Sequence, residues 1–516
     1  MRKFLKFISS RFFILSLLLF SQIVFIILFS IYLAQASYGA YIILSFYILD
    51  ILGIIFIANS QSAGAYKLAW TTCIALLPIG GGFILWLLFA NKRTTKRQKR
   101  KTGMYRDSLA KYSHEDSSMS LLKTVDSRAY SQARYIFNCG QTSPYTNTEV
   151  EYFKLGEDAW PKMIEALKNA QHFIFLEYFI IEDGVFWGQI LDILKEKAKN
   201  GIDVRLIYDD FGCMSKIPYY YNQYLNGLGI KCFVFNRYLP ILTLKMNNRD
   251  HRKLMIIDGI IGFTGGINLA DEYVNQVKKF GNEWKDNCIM LKGSGIFGMT
   301  SLFLSQWCNI TKVMEDFNNF SYEKYKDLLG EINPSGFVQT FGDIPYDYES
   351  IGENVYLNMI YKSSKYIYIC SPYLVPDDTM IAALKSCARS GIDVRIVIPG
   401  APDKLITYQL TLSYLPILIS SGVKVYRYND AFIHGKMFLS DDDYATIGTI
   451  NLDLRSLYLH MENATLLYKC SCLKNIKSDF EYMFKNSTEY TLNDYKKTNI
   501  LVKAFRAVIR LFAAMF

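Results

Sequence analysis

Apolar and polar positions divide this chain into two regimes. From Phe12 to Leu49 no acidic or basic residue occurs. Phe12–Ala34 is long enough to span a bilayer, for which about 20 apolar residues suffice. Tyr41–Ala58 is a second expected span, interrupted by Asp50, and Leu68–Asn91 is a third apolar stretch. After residue 101 the pattern changes. Residues 102–146 are polar and weakly patterned, which predicts a linker with short helices. Beyond them the chain repeats itself. "HFIFLEYFIIEDG" (172–184) reads as a strand, "ILDILKEKAKNG" (190–201) as a helix closed by glycine, and "IDVRLIYDD" (202–210) as a strand. "KYIYICSPYLVPDD" (365–378), "MIAALKSCARSG" (380–391) and "IDVRIVIPG" (392–400) repeat the same order. Strand, helix and strand in succession predict parallel β-α-β units, with Gly201 and Gly391 where helix C-caps belong. "IKCFVF" (230–235) and "VKVYRY" (423–428) add one strand to each copy.

The expected fold class is therefore α/β, two similar α-β-α units packed as a pseudo-dimer behind N-terminal transmembrane helices. The expected domains are 1–91, a membrane anchor with two or three transmembrane helices; 92–148, a basic juxtamembrane segment and linker; 149–330 and 331–490, the two halves; and 491–516, a C-terminal amphipathic helix. That last stretch carries Lys503, Arg506 and Arg510 at helical spacing. It fits either an interfacial membrane helix or a helix docked on the body of the protein.

Charge and composition narrow the partners. Of 516 residues, 51% are hydrophobic and 20% charged, which excludes a disordered chain and a pure membrane bundle. The net charge of +10 favours acidic partners, nucleic acid or anionic lipid, without choosing between them. Seven basic residues in Lys92–Lys101 place the remainder of the chain on the cytoplasmic side of the cell membrane. Arg2, Lys3, Lys6 and Arg11 make the same claim for the N-terminus, which three full spans cannot satisfy. Ten cysteines without a C-x-x-C pair read as reduced, packed thiols.

The chemistry lies in two histidine segments, "HRKLMIIDGIIGFTGGIN" and "HGKMFLSDDDYATIGTIN". Counted from histidine, lysine stands at +2, aspartate at +7, glycine at +14 and asparagine at +17. The sets are His251, Lys253, Asp258, Gly265, Asn268 and His434, Lys436, Asp441, Gly448, Asn451. The chain has only five histidines, so this five-point match is not casual. Residues two apart on a strand share a face, so each histidine projects with its lysine. Lysine and asparagine suit a non-bridging phosphoryl oxygen, and glycine permits close backbone approach to a ligand. A carboxylate on the far ring nitrogen would fix a histidine's tautomer. Two histidines then serve as nucleophile and acid/base. Asp442 and Asp443 fall out of frame and read as turn residues. His114, His172 and His460 have no aligned counterpart; His460 lies near the site in sequence and reads as structural.

At these residues the chain resembles the phospholipase D superfamily and, within it, the bacterial cardiolipin synthases. "FLEYFIIEDG", "NRDHRKLMIIDG", "FTGGINLADEY", "EWKDNCIMLKG", "SPYLVPDD", "FIHGKMFL" and "IGTINLDLRS" carry the resemblance, which covers the whole chain. It implies that two phosphatidylglycerols react to cardiolipin and glycerol through a phosphatidyl-histidine. The alternative is a membrane phospholipase D releasing phosphatidic acid. It leans to His251 as nucleophile and His434 as acid/base, leaving the choice open. It implies His251, Lys253, Asp258, His434, Lys436 and Asp441 as catalytic, and Asn268, Asn451, Gly265, Gly266, Gly448 and Thr449 around the phosphate. Glu462, with Asp271 or Glu272 as its less secure counterpart, is implied as supporting. No cofactor, metal or nucleic acid is expected; the expected partners are phosphatidylglycerol and anionic membrane lipids. Gly266 stands where many members of the superfamily have serine. Trp284 and Asp286 match a family motif, with core packing an equal reading. "PYYYNQY" (218–224) is either a lipid-facing patch or ordinary packing.

Overall fold

In a computed structural model of the chain, the described residues are 20–32 except 22, 26 and 30, 38–76 except 61, and 96–515 except 239–246, 347–348 and 430. Each half builds one sheet with helices against it. In the first, the strands run Thr148–Phe153, Cys288–Gly293, Ile261–Gly265, Lys253–Ile257, Phe173–Tyr178, Asp203–Asp209 and Lys231–Phe235 across the sheet. In the second, Phe337–Asp343, His460–Tyr468, Tyr444–Gly448, Met437–Ser440, Tyr366–Cys370, Asp393–Pro399 and Lys424–Tyr428 repeat that order, with Ser487–Tyr490 added at the edge. The expected parallel units are present, since Phe173–Tyr178 pairs parallel with Asp203–Asp209, and Asp203–Asp209 with Lys231–Phe235. The rest of the first sheet is antiparallel, so the sheets are mixed. Lys253–Ile257 pairs antiparallel with Ile261–Gly265, and Met437–Ser440 with Tyr444–Gly448, because the tight turn between them leaves no room for a crossover. Gly201 and Gly391 follow their helices at φ +85° and +88°, a left-handed backbone that glycine adopts without strain.

The halves share a core. Helix Ile296–Thr311 is buried through Cys308 and packs on strands of both sheets. Phe303 from it stacks on Phe175 with ring centroids 4.7 Å apart. Phe175, Ile256, Val338, Tyr368 and Leu439 belong to one continuous apolar cluster drawn from both halves. Burying each such side chain contributes about 1.5–3 kcal/mol, and the shared cluster resists separation of the halves.

The expected linker is helical and packed. Lys96–Tyr112, Ser117–Val125 and Ser127–Gly140 are helices, the last two started by the carboxylates of Asp116 and Asp126 accepting backbone N–H groups. Met119, Leu122, Ala133 and Ile136 join the core of the second half. Among the described residues no helix is long and apolar enough to cross a membrane, so the expected transmembrane anchor finds no support there. Residues 12–19 of the first expected span and 77–91 of the third lie outside the described residues, as do Lys92 and Arg93. Gly39–Ala58 forms one apolar helix, with Asp50 buried and Tyr41, Leu44, Ile51 and Ile55 exposed. All ten cysteines are free thiols.

Candidate active site

Each histidine lies just before a core strand whose lysine points back toward it. Lys253 Nζ donates to the His251 carbonyl at 2.6 Å, and Lys436 Nζ donates to the His434 carbonyl. The two lysines are 1% exposed. Burial pushes the Lys253 ammonium down to about 7 and that of Lys436 to about 8. The lysines are close enough that Lys436 further depresses Lys253.

The carboxylates arrive from the opposite half. His251 Nδ1 donates to both oxygens of Glu462 at 3.0 Å, and His434 Nδ1 donates to Asp286 Oδ2 at 2.7 Å. Two short backbone pairings make these crossings possible. Arg249–Asp250 lies parallel to His460–Met461, and Phe432–Ile433 lies parallel to Trp284–Lys285. The His251 N–H donates to the Met461 carbonyl at 2.8 Å, and the His434 N–H to the Lys285 carbonyl at 2.7 Å. The site is therefore assembled between the halves.

Electrostatics sets the resting protonation. Burial pushes His251 down to about 3 and His434 to about 4, so both rings are neutral at pH 7. Burial acts to raise Glu462, but the His251 ring and its hydrogen bond overcome this and hold the carboxyl well below its usual range. In Asp286, too, the opposing effects of burial and His434 leave the carboxyl lowered. Ionised carboxylates only accept, so each Nδ1 carries the proton and each Nε2 keeps its lone pair.

The motif aspartates are elsewhere, which corrects their assignment as catalytic. Asp258 accepts the N–H groups of Gln171, His172 and Phe173 at 2.7–2.8 Å. Asp441 accepts those of Ser364, Lys365 and Tyr366 at 2.6–2.9 Å. They stand past the far ends of the strands that begin beside the histidines, at φ +51° and +55°, and fasten the start of the neighbouring strand. Asp442 continues the turn and pairs with Lys477 at 2.9 Å. Glu272 is also corrected: it pairs with Lys279 at 2.8 Å, while Asp286 is the counterpart of Glu462. Asp271 instead accepts the N–H groups of Val185 and Phe186.

Gly265 and Gly448 admit protein backbone. A Cβ there would lie 2.3 Å from the carbonyl of Asn287 or Asn463, respectively. Gly266 has no room for a side chain, because a Cβ would meet Asp286 Oδ1 at 1.9 Å. At the equivalent place Thr449 donates its hydroxyl to Glu462. Asn268 Oδ1 accepts the Ile180 N–H at 3.0 Å, and its buried Nδ2 has no close hydrogen-bond partner among the described residues. Asn451 bonds Ser456 Oγ at 3.1 Å, and its buried Oδ1 has no partner among the described residues; an amide flip would free its Nδ2 instead. Sequence reasoning missed the buried Arg252, which pairs with Glu177 at 2.6 Å and Asp250 at 3.2 Å behind the site. It also read His460 as structural. His460 Nδ1 lies 3.7 Å from Glu462, and its ring centre is 5.7 Å from that of His251. Among the described residues, His251, His460 and Glu462 could share a metal ion, their donor atoms lying within 4.8 Å of one another. Glu462 already serves the His251 N–H, and two buried lysines nearby favour an anion instead.

The family model described as cardiolipin synthase, PLD-like domain, matches residues 163–294 and 356–484. A Streptococcus mutans protein described as uncharacterized is 37% identical over 90% of this chain and 99% of its own length. A cardiolipin synthase of Alkalihalophilus pseudofirmus is 32% identical over 87% of this chain and 88% of its own. The crystal structure of phosphatidylserine synthase from Haemophilus influenzae superposes with a TM-score of 0.56 at 16% identity, covering 75% of this chain and 99% of that one, a likeness of fold. With both repeats matched and its relatives covered nearly end to end, the chain belongs to the cardiolipin synthase family of phospholipase D-like proteins.

Proposed function

We propose that this protein makes cardiolipin by moving the phosphatidyl group of one phosphatidylglycerol onto a second, with release of glycerol. The observation that carries this reading is the crossed pair of His–carboxylate couples, which sets two Nε2 lone pairs beside two buried lysines. We assign His251 as nucleophile, its Glu462 fixed by the Thr449 hydroxyl, and His434 as acid/base. The anionic phosphodiester draws protons onto Lys253, Lys436 and His434 as it enters. His251 Nε2 attacks phosphorus while His434 gives its proton to the departing glycerol oxygen. His434 then takes the proton of the second lipid's hydroxyl, whose oxygen attacks phosphorus and frees His251. One phosphodiester is broken and one formed, so transfer needs no other energy source. Asn268 and Asn451 offer amide N–H groups to the phosphoryl oxygens.

The substrate lives in a bilayer, and the exposed apolar helix Gly39–Ala58 supports work at an anionic membrane surface. Labelled phosphatidylglycerol given to purified protein should yield cardiolipin and glycerol in equal amounts. Phosphatidic acid as the sole product would replace transfer by hydrolysis.

A further inference from the structure

The C-terminal helix Ile500–Leu511 is docked on the protein with its two arginines inward. Arg506 is buried and donates from Nε to Gln409 Oε1 at 2.9 Å, and Arg510 stacks 4.4 Å over Tyr414. Both partners lie on helix Leu405–Ile419. The outward face is apolar. Leu501 is 75% exposed and Phe505 46%, and Val508 continues it at helical spacing. Leu405 and Ile406, also exposed, begin the helix beside it and extend the face. Neither helix contains an acidic residue, while Lys404, Lys496 and Lys497 are exposed around them.

This face continues into the N-terminal apolar region. Helix Gly64–Leu76 packs on Ile500–Leu511 and on the final turn Ala513–Met515. It comes directly after the exposed apolar helix Gly39–Ala58. The same helix and the final turn both reach the active-site segment. Tyr66 Oη donates to the Leu454 carbonyl at 3.4 Å, and Arg455 donates to the Met515 carbonyl at 2.7 Å. Leu454 and Arg455 stand between Asn451 and Glu462.

We propose that the outward face of Ile500–Leu511, with Leu405 and Ile406, is a docking surface for an anionic lipid bilayer that seats the active-site segment against the membrane. Its aliphatic and aromatic side chains would enter the headgroup boundary, and the surrounding lysines would meet the lipid charge. The inward arginines leave no buried charge to be carried into lipid. The inference rests on the lipid-transfer reading above only for its consequence, not for the contact itself.

The test uses the full chain in phosphatidylglycerol-containing vesicles. In a Cys139→Ser background, Leu501→Cys is labelled with an environment-sensitive fluorophore. Blue-shifted emission, quenched by spin-labelled lipid and shielded from aqueous iodide, is the expected result. Iodide quenching without lipid quenching would overturn the proposal. Cross-linking of Leu501→Cys to a second copy or to the chain's own N-terminal segment, in place of lipid quenching, would also overturn it. For the consequence, Leu501→Glu with Phe505→Glu should lower turnover in vesicles at least tenfold and leave turnover on dissolved short-chain phosphatidylglycerol unchanged. Equal losses on both substrates would overturn the docking role. A parent protein inactive on either substrate, with its label still in lipid, would fault the transfer reading alone.

Discussion

Glu462→Gln separates the charge of the site from its shape. The amide keeps the volume of the carboxylate, and its oxygen can still accept from the His251 Nδ1–H or the Thr449 hydroxyl. The variant lacks a full negative charge, completely buried and 3.0 Å from the ring nitrogen. At rest the ring is neutral, so the ground state loses little. When His251 bonds to phosphorus the ring becomes cationic, and the carboxylate stabilises that charge. Over about 4 Å between charge centres, at an effective dielectric near 20, the attraction is about 4 kcal/mol. One decade of rate corresponds to about 1.4 kcal/mol, so turnover should fall roughly a thousandfold. The assay is cardiolipin formation from labelled phosphatidylglycerol under saturating lipid, with thermal unfolding as a folding control. A loss under about tenfold, or about 1.4 kcal/mol, in a normally folded variant would refute this role for Glu462.

The same geometry sets three other outcomes. Gly266→Ala places a methyl group 1.9 Å from Asp286 Oδ1, so the carboxylate must leave His434 and turnover should drop at least about a hundredfold; parent-like turnover would show that this contact does not orient the pair. Asp258→Ala removes the acceptor of three backbone N–H groups and should cost about 2–4 kcal/mol in thermal or denaturant unfolding, with turnover per folded molecule nearly unchanged; lost turnover at unchanged stability would restore Asp258 to the catalytic set. Lys253 and Lys436 are depressed to about 7 and about 8, and an anion binds their protonated forms. Inhibition by a glycerophosphodiester headgroup analogue should therefore weaken as pH rises and fall more steeply above pH 7 than below it, whereas a flat or rising profile would contradict the lysine assignment.

The duplication was legible because each copy places its reactive residues at fixed distances within one short stretch. His251 with Lys253 and His434 with Lys436 need only the alternation of a strand to share a site. The carboxylates were harder to read because they cross between halves. Glu462 lies 211 positions from His251, and Asp286 lies 148 from His434. No local periodicity encodes such a pairing. A signal existed nonetheless: Asp286–Asn287 and Glu462–Asn463 occupy matching places at the strand after each glycine–asparagine turn. Asp258 and Asp441 misled for the opposite reason. Their regular spacing reflects the fixed length of a strand and its turn, and the chemistry at that end is backbone capping. The short helices expected in 102–146 are present, but their docking on the core was obscured because their apolar stripes are short and gain stability from tertiary packing.

The two couples have diverged at one point, and the divergence stems from the length of their carboxylates. Asp286 has one methylene fewer than Glu462, and its Oδ1 occupies the space a Cβ on residue 266 would need. That position must then be glycine, and Asp286 takes a further hydrogen bond from the Asn287 N–H at 2.9 Å. Glu462 has an additional torsion to fix, and the Thr449 hydroxyl, itself held against the Asn463 N–H at 3.0 Å, restrains it. Glycine opposite aspartate and threonine opposite glutamate are thus two solutions to one orientation problem. Exchanging only one member of either pair breaks the solution: serine at 266 collides with Asp286, and glycine at 449 leaves Glu462 free to turn from His251. Exchanging both members in one half should recover activity that neither single change retains, because the constraint belongs to the pair.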